Sequence, residues 1–164
     1  MILIEISFIL YVVYNLLTIS FFGIPSSLSN TFYLYKEYKC QWLFSATLIA
    51  MVTLLMPSWI NLMEGSPFQF LAFLVPMSIL FVAIAPNFKN NGLDQRVHFI
   101  ATIIAAVLAL IVSIFVFKAW VTLIVVTLII LLLSIATKTL KKGLLYWIET
   151  IIFLSTFISL IYVG

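Results

Sequence analysis

Asn87-Phe-Lys-Asn-Asn-Gly-Leu-Asp-Gln-Arg-Val-His98 is a polar dozen in a chain that is otherwise almost wholly apolar. It divides the sequence into two halves. Each half holds enough apolar sequence for three membrane crossings at about 20 residues per helix. Hydrophobic residues make up 65% of the chain, against about 45–50% in a soluble globular protein. Only 8% of residues are charged, and no alternation of apolar and polar residues marks barrel strands. In lipid the backbone must satisfy its own hydrogen bonds, so helices are expected. The reading is an all-α, polytopic transmembrane bundle of six helices forming one domain over residues 1–164.

The first span is predicted at 2–22. It starts without a basic region and ends without a small-residue cleavage site, so it reads as a retained helix. Tyr11, Tyr14 and Asn15 form a polar stripe on it that should face other helices. Gly23, Pro25 and a serine cluster then stop the helix. In the loop that follows, Ser29 or Asn30 is placed to cap a short helix carrying Phe32, Tyr33 and Tyr35. The mixture of tyrosines with Lys36 and Lys39 suits either interfacial anchoring or a ligand site.

The second and third spans are predicted at 41–63 and 68–85, with Pro57 and Pro76 inside them. From Val97 to Lys141 the sequence is one apolar tract whose interior is interrupted only by Lys118, with Lys138 near its end. As a single helix it would be about 65 Å long, roughly twice the hydrocarbon thickness. A hairpin near Phe117-Lys118-Ala119-Trp120 is therefore expected, giving spans at 97–117 and 120–137, although no Gly, Pro or Asn marks the turn. The last span is predicted at 144–163.

Seven of the eight basic residues fall in loops one, three and five, and only Lys118 lies on the other side. Basic loops stay in the cytoplasm. These loops are thus expected to be cytoplasmic, in a bacterial-type inner membrane, with both termini outside. The net charge of +3 is scattered at span ends with no basic stripe, which points to membrane lipids as partners and away from nucleic acid. The single cysteine, Cys40, excludes an intramolecular disulfide.

Embedded polarity gathers at the cytoplasmic end. Glu149 lies about two turns inside the last span, where an unpaired carboxylate is expensive. His98, the only histidine, opens the fourth span at the same face. Ser26, Ser29, Tyr33, Asp94, Arg96, His98 and Glu149 are the candidate ligand-binding residues. The alternative is structural: Asp94, four residues before His98, caps or pairs with it, and Glu149 accepts from a backbone group or a snorkelling Lys142. One His and one Cys cannot build a zinc site. No Gly-x-Ser-x-Gly turn, phosphate loop or nucleotide fingerprint is present. No catalytic residue, metal or cofactor is assigned.

Ile24-Pro-Ser-Ser-Leu-Ser-Asn-Thr-Phe-Tyr33 after the first span, with Ala85-Pro-Asn-Phe-Lys89 and Arg96-Val-His98 after the third, resembles a group of bacterial and phage six-span proteins. More distantly, the Pro-Ser-x-x-Ser element is similar to the six-helix family of autophagy modulators and GPI-lipid remodelling factors. That resemblance implies lipid handling. The expected function is binding of a lipid or small amphiphile from the cytoplasmic side. The alternatives are a pore or holin-like permeabilising homo-oligomer and a lipid-modifying enzyme.

Overall fold

The computed structural model describes residues 1–90 and 92–163. Seven α-helices and no strand are found among the described residues. α1 (Ile2–Phe22) is uninterrupted by Gly or Pro and buries Ile4, Ser7, Tyr11, Tyr14, Asn15 and Thr18, a stripe at helical spacing. It ends where Gly23 takes φ 71° and donates its N–H to the Ile19 carbonyl. A short α2 (Thr31–Lys36) follows in the first loop. α3 (Trp42–Leu62) and α4 (Leu71–Ile84) contain Pro57 and Pro76 in their interiors. α5 (Leu93–Ile111) continues into a π-helical turn, Val112–Val116. α6 (Trp120–Ala136) and α7 (Leu144–Val163) complete the chain.

α4 starts three residues later than its predicted span, because Ser66 to Phe70 are taken up by successive tight turns. The Ser66 hydroxyl accepts from the Phe68 N–H just after Pro67, which holds this stretch out of the helix. The hairpin near Lys118 is present. Its reversal uses the π-helical turn, in which Phe117 donates to the Val112 carbonyl and Ala119 to that of Ser113. Lys118 itself supplies the left-handed backbone, φ 53°, where glycine is the usual residue. Lys39 and Lys138 do the same after α2 and α6. There Cys40 and Thr139 donate back to the Tyr35 and Ser134 carbonyls, closing those helix ends.

α4 packs most extensively on α5 and α3, and α3 packs on α1. Ala101, Ala105 and Ala109 form the buried edge of α5, small side chains that let the backbones approach. α6 is peripheral and packs chiefly on α7, burying only Val126, Ile130 and Ser134. The outward faces carry exposed Ile9, Phe21, Ile103, Leu128 and Leu132. Such faces suit lipid rather than water. Four helical segments, Ile2–Phe22, Trp42–Leu62, Leu93–Val116 and Leu144–Val163, are long and apolar enough to cross a membrane. Leu71–Ile84 and Trp120–Ala136 are apolar but shorter. Helical, apolar architecture of this kind suggests a membrane location.

Candidate functional site

The site is built on the loop between α1 and α2. Pro25, Ser27, Leu28 and Ser29 are buried, although they belong to no helix. Non-helical backbone at depth must find partners, and α7 and α2 supply them. Glu149 Oε2 on α7 accepts the Leu28 N–H at 2.5 Å. The Ser26 carbonyl accepts the Tyr146 N–H at 3.2 Å. The Thr31 hydroxyl donates to the Leu28 carbonyl at 2.6 Å and receives the Tyr14 hydroxyl proton. Gly143, just before α7, lets the loop lie close. A Cβ there would stand 2.8 Å from Ile24 Cγ2 and 3.2 Å from the Pro25 carbonyl oxygen.

His98 is held from two sides. Its Nδ1 lies 2.9 Å from the Ala85 carbonyl oxygen, and its Nε2 lies 2.9 Å from Ser29 Oγ. A carbonyl can only accept, so in the neutral imidazole the proton sits on Nδ1 and Nε2 accepts the Ser29 hydroxyl. Phe88 stacks on the ring, with centroids 4.6 Å apart and planes at 22°. The Phe88 ring in turn meets Tyr33 edge-on. Tyr33 Oη accepts the Lys89 N–H at 2.8 Å, and the Lys89 ammonium lies 4.3 Å from the Tyr33 ring centroid.

The candidate residues therefore separate into two groups. Ser29, His98 and Glu149 converge on the buried first loop. Tyr33 joins them only through Phe88. Ser26 is exposed in its side chain and contributes its carbonyl. Asp94 and Arg96 are exposed on the first turns of α5. Among the described residues Asp94 makes no side-chain cap there, and His98 bonds Ala85 and Ser29 instead of Asp94. Ser29 and Asn30 do not cap α2 with their side chains. The Ser27 hydroxyl takes the Asn30 N–H instead.

Beneath the loop lies a cavity of about 80 Å³ in the core of the bundle. Its walls are almost entirely apolar, and Ser29 and Glu149 border it where the first loop closes over the helices. Along α3 the lining runs from Phe44 to Trp59, about 22 Å at the helical rise. Trp59 is fully buried, and its indole N–H has no partner among the described residues. Sequence reasoning named neither Leu28, whose N–H meets Glu149, nor Trp59. An N–H is common to every residue except proline, so no residue type advertises the first.

No group of His, Cys, Asp and Glu able to hold a metal ion is present among the described residues. No protein-family model, curated protein or solved structure matches the chain.

Proposed function

We propose that the protein holds a single-chain lipid or similar amphiphile, part of its tail in the bundle cavity and its polar end beside Ser29 and Glu149. The observation that carries this reading is the shape and chemistry of the cavity. Its walls are apolar from Phe44 to Trp59 along α3, with Ser29 and Glu149 at its border. An alkyl chain gains by burial about 0.8 kcal/mol per methylene, and a headgroup needs hydrogen-bonding partners at one end. An apolar lining opposes a water-filled pore, which would need a continuous polar face.

Six crossings accompany this reading. α4 and α6, though short, are apolar and lie between longer helices in the sequence. At one end the first loop meets the start of α7 through Ser26–Tyr146 and the start of α5 through Ser29–His98, and Tyr33 meets the central loop at Lys89. That end carries seven of the eight basic residues, so it faces the cytoplasm of a bacterial-type inner membrane and both termini lie outside. Single cysteines at positions 36 and 118, in a Cys40→Ser background, should react with an impermeant thiol reagent from opposite sides of the membrane. Reaction from the same side would overturn the six-span topology.

Binding is tested with a diazirine-bearing palmitic acid photocrosslinked to the detergent-solubilised protein. Adducts should map to cavity positions such as Met51, Val52 and Ala105. Adducts confined to outward residues such as Ile103 and Leu132 would overturn the cavity reading.

A further inference from the structure

Ser29 Oγ lies 2.9 Å from His98 Nε2, and Ser29 borders the apolar chamber. We propose that Ser29 is a nucleophile with His98 as its general base, acting on an ester of a long-chain acid whose acyl tail enters the cavity with part of its length. This inference rests on the cavity reading above.

Three features support it. The Ala85 carbonyl fixes the tautomer that leaves Nε2 free to take a proton. A nucleophile, a base and a third group orienting the base form the arrangement that activates a hydroxyl. Phe88 stacking limits rotation of the ring. The loop that carries Ser29 is anchored one residue away, where Glu149 holds the Leu28 N–H.

The chemistry balances with water as co-reactant. Ser29 Oγ attacks the ester carbonyl carbon while its proton passes to His98 Nε2. As the tetrahedral intermediate collapses, the bond to the alcohol oxygen breaks and the alcohol leaves with the proton from Nε2. Water then attacks the acyl-serine, giving a proton to Nε2. The acid departs as Ser29 Oγ recovers that proton.

The sequence holds no Gly-x-Ser-x-Gly turn because Ser29 sits in a loop, not at a strand-to-helix elbow, and its base lies 69 residues away. A purely structural Ser29–His98 strut would show the same distance, so the test must separate a base from a strut.

The full-length protein in detergent is treated with hexadecyl fluorophosphonate. Attack by Ser29 Oγ forms the Oγ–P bond and expels fluoride, with the proton passing to His98. Mass spectrometry should place the adduct on Ser29. In His98→Gln the amide oxygen can still accept from the Ser29 hydroxyl, but no basic nitrogen remains. The rate of labelling should fall by about a hundredfold or more, with the unfolding midpoint near that of the wild type. Equal labelling of a folded His98→Gln protein would overturn the proposal. If His98→Gln unfolds, the wild type decides: Ser29 must label faster than Ser26, which is exposed and has no imidazole partner, and the reverse order overturns it. Photocrosslinking in the cavity without Ser29 labelling refutes the nucleophile and leaves lipid binding standing. Loss of both refutes both.

Discussion

The first loop and the central loop have opposite fates. The central segment holds Lys89, Asp94 and Arg96, yet these three side chains are exposed. The opening segment of the first loop, Ile24 to Asn30, has no charge at all, yet its core is buried and bonded to α7 and, through His98, to α5. The cost of burial explains the difference. A charged side chain taken from water or headgroups needs a partner of comparable strength. Serine hydroxyls and backbone amides need only hydrogen bonds, which one carboxylate, one imidazole and one threonine can provide. The loop suited to enter the bundle is therefore the one with small, uncharged polar residues.

The comparison is broken most directly at Glu149. Glu149→Ala leaves the buried Leu28 N–H without its acceptor, and an orphaned buried donor costs about 1–3 kcal/mol. Thermal or denaturant unfolding in detergent should show a loss of that size. Glu149→Gln keeps an acceptor oxygen of the same reach and should lose less. A Glu149→Ala protein as stable as the wild type would mean that the carboxylate does not hold the loop in place.

How much of this was legible beforehand depended on the range of the interaction. α1 lies where its apolar run and Gly23 put it, and Tyr11, Tyr14 and Asn15 turn inward as their spacing implies. The reversal at Lys118 followed from the bilayer's thickness, which a 45-residue helix would exceed. Its mechanism was hidden, because lysine has no preference for the left-handed backbone that Lys118 adopts. The site was legible only as a set of expensive residues. Embedding cost marks out Glu149 and His98, whereas the partner of Glu149 is a backbone amide 121 positions away. The local pairing of Asp94 with His98 is attractive on spacing alone. In the fold, Ala85 and Ser29 occupy both ring nitrogens, so the imidazole has no free nitrogen for Asp94.

The smallest effect is expected in the central segment. Asp94 and Arg96 are exposed, and among the described residues neither side chain makes a hydrogen bond or an ion pair to the buried loop. Exposed substitutions remote from caps and cores usually change stability by within about 0.5 kcal/mol. Asp94→Ala and Arg96→Ala should each fall in that range, and each should leave crosslinking of the palmitic acid probe unchanged. In the proposed six-span topology Arg96 is one of seven cations on one face, but removing one leaves six, and topology follows the sum over the loops. If either alanine protein lost stability comparably to Glu149→Ala, the two loops would form one coupled unit. The distinction drawn between them on the ground of charge would then fail.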